Sequence, residues 1–155
     1  MNCTIQTIQC YQDLLIHWPF FDAALESLNS TVEHKVPGEE FLARHMDIVM
    51  GEREGLISLA LSNGRKVGLI SAYDSCNKYK PKTALVYAAY AVPGAAASDR
   101  NSGVLRQLYN HVESWARGQN YTALHTYSGR TSGAAIRWFR TYGFNLNKLL
   151  LTKEL

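Results

Sequence analysis

The sequence predicts an α/β fold with a mixed sheet, built as a single domain over residues 1–155. Three observations carry that expectation. The apolar runs LISLAL and VGLISAY flank Asn63-Gly64, the strongest short hairpin signal, because a type I′ turn needs positive φ at both positions. A strand-like run TALVYAAYAV (83–92) precedes a helical stripe over 103–117 and a second strand-like run YTALHTY (121–127). Together these form a βαβ unit, whose parallel crossover is right-handed. Finally, 46% hydrophobic and 19% charged residues suit a packed core and exclude a disordered chain.

The elements follow in order. CTIQTIQC alternates as a short strand does. Leu14, Leu15, Trp18, Phe21, Leu25 and Leu28 then recur at helical spacing, and Pro19 is expected to kink that helix or start a second one. From Pro37 to Met50, Phe41, Leu42, His45, Ile48 and Val49 make another stripe, with Glu39 and Glu40 where the helix dipole favours acids. After the hairpin, a Lys-rich loop from Asn77 to Lys82 leads into the third strand. Val104, Leu105, Leu108, Tyr109, Val112 and Trp115 mark a half-buried helix, and Gly118 is placed to end it. Thr131 or Ser132 can cap a short helix that Gly143 ends, with Phe144 set for the hydrophobic contact of a C-terminal cap. LNKLLLTKEL reads as a last strand. The predicted order is β, α, α, β-hairpin, β, α, β, α, β.

Composition narrows the function classes. Cys3, Cys10 and Cys76 form no CxxC pair, which argues against a disulfide framework or a zinc site and for a reducing, cytoplasmic setting; no metal is expected. The N-terminus lacks a basic segment followed by an apolar one, and no run approaches the ~18 apolar residues of a membrane span. A net charge of +3 favours anionic ligands without implying nucleic acid.

The stretch DRNSGVL (99–105) sits between the third strand and the long helix. A helix N-terminus offers unpaired N–H groups and partial positive charge, so it can receive an anion. Gly103 lets backbone approach a ligand, and Arg100 can make a bidentate phosphate contact. Taken alone, the motif is more simply an ordinary cap, with Ser102 or Asp99 capping and Arg100 solvated. It lacks the spacing of a Walker loop or a dinucleotide fingerprint.

In context, the element order, the hairpin, Val92-Pro93 followed by Arg100-x-x-Gly103-x-Leu105, and the segment AIRWFRTYGF (135–144) resemble the GNAT N-acetyltransferase superfamily. The family pattern has Arg or Gln, then Gly, then Gly or Ala; Arg100 and Gly103 match, and Leu105 departs. In the late segment Ala135, Gly143 and Phe144 match, while Ser132 stands where Asn is common and Phe139 where Tyr is common. The resemblance implies a GNAT-like, mostly antiparallel sheet with a central βαβ unit and helices on both faces. It implies acetyl-CoA as co-substrate, with its phosphates on Arg100 and the backbone of Asn101, Ser102, Gly103, Val104 and Leu105. Its pantetheine arm would pair with Tyr90, Ala91 and Val92, and Ser132 joins the cofactor-binding set.

The implied reaction is acetyl transfer to a primary amine of a small molecule or protein. Phe139 cannot supply the proton that a Tyr there would give, so Tyr142, Tyr127 and Tyr90 are the substitutes, with solvent as an alternative donor. No carboxylate lies in Leu85-Val86-Tyr87-Ala88, and His125 is the titratable candidate for a base by location, although a strand histidine is as readily structural. Trp18, Phe20 and Phe21 can line an acceptor pocket or pack in the core. The competing readings are a GNAT-like module that binds without catalysis, and a modifier of nucleic acid or of a nucleic-acid-bound protein. The latter rests on Lys78, Tyr79, Lys80 and Lys82. A homodimer is compatible with either.

Overall fold

The computed structural model describes residues 3–30, 35–75, 82–94, 103–126, 140–141 and 143–144. Arg100, Asn101, Ser102, Tyr127, Ser132, Phe139 and Tyr142 lie outside these, as do Cys76, Lys78, Tyr79 and Lys80, most of the expected late helix and the last strand.

Strand β1 (Thr4–Thr7) leads into α1 (Tyr11–Asn29) and α2 (Gly38–Val49). Then come β2 (Gly55–Ser62), β3 (Arg65–Asp74), β4 (Thr83–Ala91), α3 (Val104–Gly118) and β5 (Ala123–Thr126). The strands form one sheet in the order β1-β2-β3-β4-β5. Its first three pairings are antiparallel and β4 pairs with β5 in parallel. The expected mixed, mostly antiparallel sheet with a central βαβ unit is therefore present.

The two faces of the sheet are covered differently. Ile57, Leu59, Leu69 and Ala88 pack with Leu14, Phe21, Leu25 and Phe41 of α1 and α2. Leu56, Ala60, Ile70, Ala72 and Val86 point the other way, against Val104, Leu108 and Val112 of α3. Strand side chains alternate between faces, so apolar runs such as LISLAL supply both layers at once. Gly68 brings α3 close to the sheet. A Cβ there would stand 2.6 Å from Val104 Cγ1 and 2.7 Å from the Tyr90 carbonyl oxygen.

The Asn63-Gly64 turn has positive φ at both residues, 52° and 77°, as the hairpin signal requires. Two local expectations take a definite form in the structure. Of the two alternatives at Pro19, a second helix does not start there, because α1 runs unbroken through it. Its ring is exposed, while the neighbouring Trp18 and Phe21 are tied into the core, so packing carries the turn that lacks a backbone donor. Gly118 does not supply the reversal after α3. Asn120 does, at φ 63°, with Tyr121 N–H bonding Ala116 O at 2.9 Å and Asn120 N–H bonding Arg117 O at 3.2 Å. This is a Schellman cap in which Asn takes the left-handed position. Gly143 holds the expected positive φ of 83°, and Phe144 packs edge-on against Tyr109 at 6.0 Å.

Candidate functional site

The candidate site lies along the part of β4 that extends beyond the described length of its parallel partner β5. The β4–β5 ladder spans Thr83 to Val86 on β4, yet β4 continues to Ala91. Among the described residues, nothing pairs with the β5-facing edge of β4 beyond Val86. On the other edge Val92 N–H donates to Val67 O at 2.8 Å, with Ala91 opposite Gly68 and Tyr90 opposite Leu69. Backbone groups alternate in an antiparallel ladder, so Val92 and Tyr90 turn their N–H and C=O toward β3. Those of Ala89 and Ala91 face the opening. Of the residues expected to pair with an extended arm, Tyr90, Ala91 and Val92, only Ala91 turns its backbone groups to the β5 side, and Ala89 does so as well. Ala89 was not anticipated, and only the register reveals it.

A bulge shapes the same strand. Ser71 pairs with Ala88 but Ala72 pairs with Val86, which leaves Tyr87 as the extra residue. Tyr87 and Ala88 consequently both belong to the α1/α2 layer, although they are adjacent in sequence. Tyr87 packs against Phe41, His45 and Tyr73 with ring centroids 5.8, 5.7 and 5.5 Å away.

His45 sits beneath this bulge, fully buried and ringed by Trp18, Phe21, Phe41 and Tyr87. Its Nδ1 lies 2.7 Å from the Phe41 carbonyl, which can only accept, so Nδ1 carries the proton. Nε2 then accepts from the Ser71 hydroxyl at 3.0 Å. Burial pushes the imidazole pKa down to about 4, with the Phe41 bond opposing, so the ring is neutral near pH 7.

Toward the far end of β4 stands the N-terminus of α3. Its N-cap is Gly103, without a side chain, and no acid lies in its first turn. The first helical bond is Gln107 N–H to Gly103 O at 3.2 Å, so the N–H groups of Val104 and Leu105 have no acceptor within the helix. The close seat at Gly68 sets this helix end beside the β4 opening. An anion can be met by the helix end while an extended arm pairs with Ala89 and Ala91.

The remaining candidates are placed as follows. His125 lies on β5 opposite Leu85, exposed, and alternates away from Leu124, which packs on the α3 side. Tyr90 packs against Phe20 at 5.9 Å. Phe21 is core, stacked on Trp18 at 5.1 Å. Lys82 is not available to a phosphate backbone, because its Nζ bonds Glu54 Oε1 at 2.9 Å and the Gln119 carbonyl at 3.0 Å and lies over the Tyr121 ring. Tyr121 donates to the same Glu54 oxygen at 2.7 Å. A cavity of about 220 Å³ between α3 and β5, lined by Tyr109, Glu113, Tyr121 and Phe144, lies away from the β4 opening. No metal-binding cluster exists among the described residues, nor does any helix there have the length and apolarity to cross a membrane.

No protein-family model matches the chain, and no curated protein matches it. Solved structures do. An acetyltransferase described as putative, from Pyrococcus furiosus, is 17% identical with a TM-score of 0.66, covering 99% of this chain and 100% of its own. An aminoglycoside N-acetyltransferase in complex with CoA is 15% identical with a TM-score of 0.72, covering 100% of this chain and 97% of its own. A ribosomal-protein-alanine N-acetyltransferase from Brucella melitensis biovar Abortus 2308 is 15% identical, with a TM-score of 0.68 and full coverage of both chains. The chain shares its fold with these acetyltransferases.

Proposed function

We propose that the protein is an acetyl-CoA-dependent N-acetyltransferase that acts on a primary amine. The observation that carries this reading is that, among the described residues, β4 is unpaired on its β5 side beyond Val86 and the N-terminus of α3 begins at Gly103 with no side-chain cap. These features fit the two chemically distinct ends of acetyl-CoA, an amide-bearing arm and a set of phosphates. The phosphates would meet the N–H groups of Val104 and Leu105, with the Gly103 N-cap allowing close approach and Arg100 adding charge from outside the helix. Ala89 and Ala91 would hold the arm as an added strand. The folds of the aminoglycoside and ribosomal-protein acetyltransferases support the same assignment.

The bound co-substrate supplies an activated acetyl thioester. A backbone N–H at the bulged part of β4 would polarise its carbonyl as charge develops on oxygen. His125, exposed on β5, is the base that takes the ammonium proton directly or through water. As the N–C bond forms and the C–S bond breaks, the thiolate takes a proton from solvent or from one of Tyr127 and Tyr142. A thiol of pKa ~8.5 leaves adequately without a dedicated acid, which suits Phe139 at the position where the family has Tyr.

Isothermal titration with acetyl-CoA tests the reading. Binding is expected to be weakened at least tenfold in Gly103→Glu, which puts a carboxylate at the helix end. Absence of binding at millimolar acetyl-CoA would exclude it. Binding without free-thiol release across a broad amine panel would favour the non-catalytic module.

A further inference from the structure

The bulge at Tyr87 has no local cause, since Val86-Tyr87-Ala88-Ala89-Tyr90 contains neither Gly nor Pro. What holds it comes from outside β4. One side chain of α2 meets both strands at this point. The His45 ring stands 5.7 Å from that of Tyr87, the extra residue. Its Nε2 accepts from the Ser71 hydroxyl at 3.0 Å, and Ser71 is the β3 residue opposite Ala88, where the register shifts. Its Nδ1–H donates to the Phe41 carbonyl one helical turn back, at 2.7 Å, which fixes the ring in one orientation.

Stability does not explain this pair. Among the described residues, His45, Ser58 and Ser71 are the polar residues that the core buries completely. Replacing both partners of a buried bond by apolar groups of similar shape is close to neutral, so an apolar pair would hold the fold as well. The rings of Phe41 and Tyr73 also pack on Tyr87, at 5.8 and 5.5 Å, but apolar packing has no preferred direction. A hydrogen bond has one.

We propose that His45 is a positioning residue, whose bond to Ser71 holds the β3–β4 register at the bulge and so sets the backbone of Tyr87 and Ala88 for acetyl transfer. The inference rests on the acyl-transfer reading above. His45 touches no reacting atom; it acts through Ser71 and the β3–β4 ladder, from the α2 side of the sheet. Its effect falls on turnover and not on cofactor affinity, because α3, whose N-terminus would meet the phosphates, packs on the other face. A shift of about 1 Å in such a frame is enough to cost ~10²-fold in rate.

His45→Leu with Ser71→Ala removes the link and leaves neither partner unpaired. At pH 7 its acetyl-CoA affinity by calorimetry is expected to match wild type, while kcat falls about tenfold or more. The amine is the best substrate from a panel of a polyamine, an aminoglycoside and a peptide N-terminus. Hydrogen exchange of the β4 amides around Tyr87 is expected to accelerate in the same variant. Two single variants separate the link from packing, whatever the melting temperature of the double variant. His45→Gln reaches far enough to accept from Ser71 and is expected to keep wild-type kcat. His45→Asn reaches only the Phe41 carbonyl and is expected to fall with the double variant. Wild-type kcat in the double variant, or equal kcat in the Gln and Asn variants, would overturn the role of His45 and leave acyl transfer standing. A wild-type chain that binds no acetyl-CoA, or acetylates none of the panel, would overturn the acyl-transfer reading and this role with it.

Discussion

Acid should weaken this protein through His45 well before its carboxylates begin to protonate. The imidazole is fully buried and its folded pKa is about 4, against ~6.5 for an unperturbed histidine. The folded state therefore binds fewer protons than the unfolded chain between those values. Its contribution to stability is intact above pH 6.5 and is lost progressively as pH falls toward 4. Linkage gives about 2 kcal/mol lost between pH 7 and pH 5, and about 3 kcal/mol by pH 4. For a chain of this length that is ~2–4 °C of melting temperature per kcal/mol, or ~4–8 °C by pH 5. His17 and His111 are also held down by burial and act in the same direction, so the test is a difference. In His45→Leu with Ser71→Ala, both partners of the buried bond become apolar together, which avoids leaving either unpaired. Thermal melts of both proteins at pH 7, 6 and 5 should show wild type losing several degrees more than the variant. Equal losses would mean that His45 is not a dry, neutral imidazole, and the account of the cage would fail.

Other positions give independent checks. Gly68→Ala should cost about 1–3 kcal/mol in a urea titration and weaken acetyl-CoA binding, because the added methyl group meets the Tyr90 carbonyl oxygen at 2.7 Å and backbone cannot yield cheaply. Ala91→Pro should weaken acetyl-CoA binding at least tenfold while shifting the melt little, since the N–H it removes faces the opening and not β3; wild-type affinity would remove Ala91 from the site. Glu54→Gln should cost no more than about 1 kcal/mol despite two hydrogen-bonded neighbours, because the Glu54 and Lys82 side chains are 43% and 38% exposed and solvent screens the pair. Hydrogen bonds from Lys82 and Tyr121 hold the Glu54 carboxyl below its ordinary range, so this small contribution is present near neutrality and disappears only in acid, as the carboxylate protonates.

Much of the fold was legible where one residue type has one strong conformational meaning. Asn63-Gly64 named its turn, and the apolar stripe of α3 named both a helix and the face it buries. At Pro19 the sequence left two alternatives, and aromatic packing on either side of the missing donor goes with the one in which a single helix runs on. α3 does end at Gly118, but the left-handed residue that reverses the chain is Asn120. The bulge at Tyr87 left no mark: VYAAY carries neither Gly nor Pro, and its alternation reads as unbroken. The choice of Ala89 and Ala91 as the open-edge pair was equally hidden, since it depends on the phase of the β3–β4 ladder and not on side chains. His45 and Ser71 lie 26 positions apart and met only through tertiary packing. Of the candidate site, the sequence pointed to β4 and the start of α3, and the bulge that sets Tyr87 in the α1/α2 layer came only from the structure.

The seat of α3 at Gly68 also bears on how the protein moves. Backbone and side chain there meet with no room for sliding, so the helix end and the strand opening behave as one mechanical piece. Whatever adjusts when substrates arrive must then come from the α1/α2 side, where layers meet through aromatic rings and not through a locked backbone. Movement on the α1/α2 face of the sheet can thus occur without disturbing the seat of α3 at Gly68.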